Sequence, residues 1–209
     1  MNGGPKNIPT FVKDQRLIET RRGQIVEAAV SLFIRKGFHK TTTREIANES
    51  GFSIGTLYEY IKSKEDVLYL VCHAIHTQME EGLREELKRS GTGYDQLKRA
   101  FAGFIRVIDK MDDEVLLIYQ EIKSLPPEQM KDVLNKEKEI TGIFEEIIRH
   151  GIADGSIQID PGHIHLLAHN IAVLGEMWTF RRWALRKQYT LEEFVERQIE
   201  LLLRGVRND

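Results

Sequence analysis

Residues 41–64, TTTREIANESGFSIGTLYEYIKSK, gather side chains suited to the phosphates and base edges of a nucleic acid. Thr42, Thr43, Ser53 and Thr56 are short hydroxyls, and Arg44 is a cation beside the first pair; groups of both kinds bond phosphate oxygens and bases. Tyr58 and Tyr60 carry phenol hydroxyls on stiff stems, a reach that suits phosphate. Ile54 is an apolar residue at a position expected to be exposed, where a thymine methyl is its natural partner. Gly55 removes side-chain bulk where a helix start must approach a duplex. Lys64 is expected at the first position of a helix, after its cap Ser63. A cation there opposes the helix dipole. A phosphate docked on that helix start reverses the penalty, because it meets the ammonium and the backbone amides together.

These residues act together only if short helices hold them on one face. Thr42 stands three residues before Glu45, the spacing of a capping box, so a helix begins at Thr43. Ile46 and Ala47 give it an apolar face, and Gly51 supplies the residue without a Cβ that a sharp helix end prefers. Phe52, apolar within the turn, is expected to plug the space between two helices. Ser53 caps the next helix, Ile54 to about Tyr60, with Leu57 and Ile61 facing inward. The pattern is a helix-turn-helix, whose second helix lies in the major groove and reads bases with its N-terminal residues. A preceding helix from around Asp14 or Thr20 to Lys36, with Ile25, Ala28, Ala29, Leu32 and Phe33 as its buried stripe, braces the pair. Residues 1 to about 13 read as a mobile arm, in which Lys6 and Lys13, with Arg16 just beyond, are candidates for phosphate or minor-groove contact.

The segment resembles the DNA-binding domain of TetR-family transcriptional regulators. The matching residues are Thr42-Thr43, Ile46-Ala47, Gly51, Ser53, Gly55-Thr56-Leu57-Tyr58, Tyr60 and Lys62-Ser63-Lys64-Glu65. Upstream, Ala28-Ala29, Leu32-Phe33 and Lys36-Gly37-Phe38 fit the same pattern. Ile61 stands where the family usually has Phe, a swap that keeps the site apolar. The resemblance implies an all-helical homodimer with a variable C-terminal domain that binds a ligand and dimerises.

Charge follows the same division. Of the 30 Lys and Arg and 32 Asp and Glu, the first 64 residues hold 11 basic and 6 acidic, a local balance of +5, leaving −7 for the rest. A basic head on an acidic body favours DNA contact at one end only. The single cysteine, Cys72, excludes an internal disulfide framework and suits a reducing cytoplasm. No signal peptide and no apolar run near membrane-span length is evident.

Beyond the head, the periodicity predicts a long helix from Ser63 to about Arg89, a break at residues 90–93, and helices around Leu97–Ile108 and after Asp112. Further helices are expected from Glu128 to about Ala153, from Asp160-Pro161 to about Arg186, and from Leu191 to Arg204. The fold class is therefore all-α with nine helices, divided into a DNA-binding domain over 1–63 and a helical ligand-binding and dimerisation domain over 64–209. The last two helices, doubled across a two-fold axis, form the four-helix dimer interface that the resemblance implies.

Within the second domain, Phe101, Phe104, Ile105, Ile108, Tyr119, Ile122, Met177 and Trp178 supply apolar and aromatic surface for a small hydrophobic or amphipathic ligand. Arg181 and Arg182, between Trp178 and Trp183, are placed to hold an anionic head group. This part of the chain more weakly resembles family members that sense fatty acyl-coenzyme A, which implies an acyl thioester as effector.

No Gly-rich phosphate loop, zinc-protease motif or nucleophile elbow is present, so the reading is not that of an enzyme and calls for no cofactor. Two alternatives stand beside it. One is a metal-binding helical enzyme using His163, His165 and His169, the last two four apart on one helix face. The other is a helical scaffold that binds a protein partner. The leading reading is a cytoplasmic, ligand-responsive repressor that binds a palindromic operator as a homodimer.

Overall fold

A computed structural model describes Ile8, Thr10 and residues 12–206. Lys6, one of the basic residues of the expected arm, lies outside the described residues. The described chain forms ten α-helices, two short 3-10 turns and no strand. The helices are α1 (Gln15–Lys36), α2 (Thr43–Glu49), α3 (Ile54–Tyr60), α4 (Lys64–Leu87), α5 (Gly93–Lys110) and α6 (Asp112–Glu121). They continue with α7 (Pro127–Ala153), α8 (Ile164–Phe180), α9 (Arg182–Leu185) and α10 (Leu191–Leu203).

Two compact units result, and they are not simply consecutive. The head comprises the described residues up to Ile75 together with Leu117–Asn135; the body comprises His76–Leu116 and the described residues from Lys136 on. The expected division at 63/64 assumed two contiguous stretches, whereas α4, α6 and α7 each contribute residues to both units.

In the head, the capping signals form as the sequence dictates. Asp14 caps α1 by accepting from the amides of Arg16 and Leu17. The Thr42/Glu45 capping box opens α2, and Ser53 caps α3 by accepting from Thr56 N. Gly51 takes φ +75° in the turn, a conformation that costs other residues a Cβ clash. Ile25, Ala29, Ile46, Ala47, Leu57 and Ile61 are all fully buried and make the small core that fixes α1, α2 and α3. Burying each large aliphatic side chain contributes about 1.5–3 kcal/mol, and that burial fixes the crossing of such short helices. Phe52 departs from the expected plug: it is half-buried, with the Arg21 guanidinium 5.0 Å from its ring centroid.

In the body, α5 presents a strongly one-sided apolar face, with Leu97, Phe101, Phe104, Ile105 and Ile108 almost wholly buried. It packs on α8, where Gly175 permits the approach: a Cβ there would lie 2.7 Å from Phe104 Cδ1. The expected long helix to Arg186 is broken. Arg181 (φ −112°, ψ 19°) leaves the helical region and α9 follows, which makes ten helices where the periodicity predicts nine. No Gly or Pro marks this break in the sequence. Its physical anchor is Arg182, whose Nη1 reaches Asp112 Oδ2 at 2.6 Å and Asp113 Oδ1 at 2.8 Å.

Candidate nucleic-acid interface

The face expected to meet DNA is assembled from the start of α2 and the exposed side of α3. Thr43 Oγ1 and Tyr58 OH lie 3.1 Å apart, so the two helices are joined across the face by a hydroxyl pair. Ser53 Oγ and Thr56 Oγ1 form a second pair at 2.9 Å. In each pair only one hydroxyl need donate to the other, so each keeps one hydroxyl proton for an outside acceptor. Ile54 is 38% exposed and Tyr58 45%, large apolar surface that nothing in the head covers. Gly55 is exposed, and a Cβ built there meets only Ser53 Oγ at 3.7 Å. The packing of the chain therefore does not require glycine at that position. Arg44 and Lys40 flank the face as exposed cations, and neither has an ion-pair partner among the described residues.

Three expected DNA contacts are altered by their surroundings. Thr42 donates its one hydroxyl proton to Glu45 Oε2 at 2.8 Å, so it has none left for a phosphate oxygen. Its role is to cap α2, together with a Glu45 carboxylate whose pKa is lowered to about 2 by the Lys36 ammonium and by Thr42. Tyr60, expected as an exposed phenol, is 3% exposed and its ring belongs to the head's core. Lys64 does sit at the first position of α4, but its ammonium is 2.9 Å from Phe38 O and 3.3 Å from His39 O, above the Phe38 ring at 4.3 Å. The chain's own carbonyls thus engage the charge that the sequence assigns to phosphate.

Behind this face lies a buried polar junction. Asp66, 8% exposed, accepts from the amides of Lys62 (2.8 Å) and Ser63 (3.2 Å) with Oδ2. Its Oδ1 accepts from Gln129 Nε2 at 2.6 Å, which ties the start of α4 to the first turn of α7. One turn along α4, Tyr69 OH donates to Asp132 at 2.5 Å. Arg22 of α1 donates to Tyr60 O and to Ile8 O, so the described part of the N-terminal arm is held against the head and not free as the composition implies.

In the body, the expected ligand residues separate into core and surface. Phe101, Phe104, Ile105, Ile108 and Trp178 are buried, whereas Met177 is half-buried. Tyr119, 67% exposed, and Ile122 belong to the other unit. Trp178 is a packing residue: its Nε1 donates to Asp109 at 2.7 Å and its ring lies 4.8 Å from that of Phe194. Arg182 is committed to Asp112 and Asp113, a correction to its expected anionic-ligand role. Arg181 is exposed, with its guanidinium 5.0 Å from the Trp183 ring centroid. The histidine trio is not drawn together as a metal set. His165 pairs with Glu145 at 2.7 Å and meets His169 edge to face, and no group of three potential ligands for a metal ion occurs among the described residues.

Residues 25–69 match the family described as bacterial regulatory proteins, tetR family, and residues 90–206 match a tetracyclin repressor-like C-terminal domain. The chain belongs to the TetR family of transcriptional regulators. It is similar to the HTH-type transcriptional regulator HbdR of Aromatoleum sp. (strain CIB), at 28% identity over 95% of this chain and 86% of the relative. A crystal structure of a tetR-family regulatory protein from Rhodococcus RHA1 superposes with a TM-score of 0.77 at 26% identity, covering 90% of this chain and 98% of the other. The FadR regulator from Bacillus subtilis, solved in complex with stearoyl-CoA, shares the fold with a TM-score of 0.72 at 23% identity, over 88% and 99% of the two chains.

For this TetR-family regulator, sequence reasoning missed Arg22, Asp66 and Glu176. Asp66 carries a signal, since it stands three residues after Ser63 and mimics the second half of a capping box. Arg22 carries none: its partners lie 14 and 38 residues away. In the sequence Glu176 is only an interruption of an apolar run. Burial, followed by the nearby Glu137 carboxylate, raises its pKa to about 8. Glu137 in turn lies 3.0 Å from Nε2 of the buried His76. No helix among the described residues is long and apolar enough to cross a membrane.

Proposed function

We propose that this TetR-family regulator is a cytoplasmic repressor that binds an inverted-repeat operator as a homodimer and is released by an amphipathic effector of the acyl-coenzyme A class. The observation that carries the DNA reading is the row formed by Thr43, Tyr58, Ser53, Thr56, Ile54 and Gly55. It presents hydroxyl donors and a bare apolar side chain on one exposed face, flanked by the cations Arg44 and Lys40. Ile54 and Thr56 are assigned to base edges, while Arg44, Ser53 and the one free hydroxyl proton of the Thr43–Tyr58 pair are assigned to backbone phosphates. Thr42, Tyr60 and Lys64 act behind the face: Thr42 caps α2, Tyr60 fills the core, and Lys64 ties the start of α4 to the turn after α1. The reading head therefore ends functionally at the start of α4, near residue 63.

For the dimer, the supporting feature is the outer face of α8 and α10, where Leu166 is 61%, Val173 58% and Leu201 76% exposed. Large aliphatic side chains left in water on two adjacent helices favour burial against a second copy. Effector release requires that the ligand prefer a body conformation incompatible with paired operator contacts, so that binding shifts the population. Support for an acyl thioester comes from the stearoyl-CoA held by the similarly folded FadR regulator, from the apolar α5–α8 face, and from Arg181 beside Trp183. Of the two arginines, Arg181 is the one assigned to an anionic head group.

Calorimetric titration with a chain-length series of acyl-coenzyme A tests the effector. Binding that strengthens with chain length up to an optimum supports it, and the absence of heat with every member refutes it. Operator binding is expected to be strongly salt-dependent, falling about 10³–10⁵-fold between 50 and 200 mM salt for 6–10 phosphate contacts per dimer.

A further inference from the structure

The recognition helix α3 is only seven residues long, and the carbonyls of its last three residues lack a partner within the helix. Two of these, at its C-terminal end, are engaged by groups from distant parts of the chain. Thr10 Oγ1 donates to Glu59 O at 2.8 Å. Arg22 donates to Tyr60 O through Nε (3.3 Å) and Nη2 (3.2 Å), and the same Nη2 donates to Ile8 O at 2.8 Å. Ile8 itself is 6% exposed, and Val12 N donates back to Thr10 Oγ1 at 3.2 Å. A cation at a helix C-terminus also interacts favourably with the helix dipole.

From this geometry we infer that Ile8, Thr10 and Arg22 form a strap that caps the C-terminal end of the recognition helix and fixes its angle in the groove. Thr10 and Arg22 are positioning residues: they touch no base, and they act through the backbone of Glu59 and Tyr60. Without the strap, the Ser53 cap and the buried Leu57 still hold the start and middle of α3, so loosening its last turn moves Ile54 and Thr56 little but displaces Tyr58. The arm therefore contributes to operator affinity by holding α3, independently of any charge it brings to DNA. The strap rests on the DNA-binding reading for its consequence but not for its existence.

Thr10→Val removes the hydroxyl at nearly constant volume, and Thr10→Ser restores it. Two measurements on the full chain separate the outcomes. Amide hydrogen exchange reports the strap directly: the last-turn amides of α3 and Ile61 N are expected to exchange about fivefold faster in T10V than in wild type, and at the wild-type rate in T10S. Equal exchange in all three refutes the strap, whatever the protein binds. Operator titration then reports its consequence: T10V is expected to lose about fivefold in affinity for the selected operator with an unchanged salt slope, while T10S binds like wild type. Because the displaced Tyr58 faces phosphate, the loss is expected on other DNA as well; a change in which sequence is preferred, or no loss where exchange has accelerated, refutes the positioning role. Arg22→Lys keeps the charge but cannot span both carbonyls, and the strap predicts the same pattern for it with a larger amplitude.

Discussion

The head and the body are both helical, yet they use polar side chains in opposite ways. In the head, polar groups mostly address backbone: Thr10, Arg22 and Lys64 donate to carbonyls, while Ser53 and Asp66 accept from amides. Side-chain hydroxyls remain over on one face. In the body, side chains address side chains: Arg182 with Asp112 and Asp113, Arg186 with Asp109 and Asp112, Arg106 with Glu192, His76 with Glu137. Backbone-directed contacts fix the position of very short helices, which a reading head needs. Side-chain pairs in the body instead join neighbouring helices to one another, α5 and α6 to α9 and its C-terminal end and α5 to α10.

This contrast is broken most strongly at Asp66. Asp66→Ala strips two amides of their acceptor and leaves Gln129 Nε2 without one, so a loss of about 3–4 kcal/mol is expected in urea unfolding. Loss of less than about 1 kcal/mol would mean that the head does not depend on its backbone caps. Next in size is Glu176. An unperturbed glutamate titrates near 4.5, whereas Glu176 keeps its proton up to about 8. Between these values the folded chain retains a proton that the unfolded chain has lost, so stability falls as pH rises through that window. Glu176→Gln is expected to match wild type near pH 4.5 and to exceed it by roughly 2–3 kcal/mol at about pH 9. A gap that does not change with pH would contradict the burial of an unpaired carboxyl. Arg182→Ala is a smaller test: about 1 kcal/mol of stability is lost because Arg182 and Asp113 are partly in water and Asp112 keeps Arg186 and Thr179 as partners, and acyl-coenzyme A binding is retained. Arg181→Ala is expected to do the reverse, weakening the thioester with stability unchanged. The smallest effect is at Arg44, where alanine lowers affinity a few-fold for every DNA sequence and makes the salt slope shallower by about one for each phosphate no longer neutralised; a change in which sequence is preferred would move Arg44 to the bases.

The two regions are also unequally legible. The capping box at Thr42, the turn glycine Gly51 and the buried stripe of α1 are set by residues within a few positions of one another, and all appear where the spacing places them. Long-range polar contacts leave no such trace. Nothing near Arg182 in sequence announces carboxylates 69 and 70 residues away, so neither the α8 break at Arg181 nor the engagement of Arg182 has a local sign. The same holds for Lys64, whose partners lie 25 and 26 residues upstream. Tyr60 shows a third limit: a tyrosine in a helix-turn-helix reads equally well as a phosphate ligand or as core, and only its burial decides.

The proposed repressor function depends on the exposed row of α2 and α3 reading DNA sequence, twice per dimer. The decisive measurement is selection of bound duplexes from a random-sequence library at moderate salt. Enrichment of one inverted repeat is expected, with half-site centres about 34 Å apart, or a multiple of that, along the duplex. Binding without enrichment, vanishing as salt rises, would leave only a basic face and contradict sequence reading by this row.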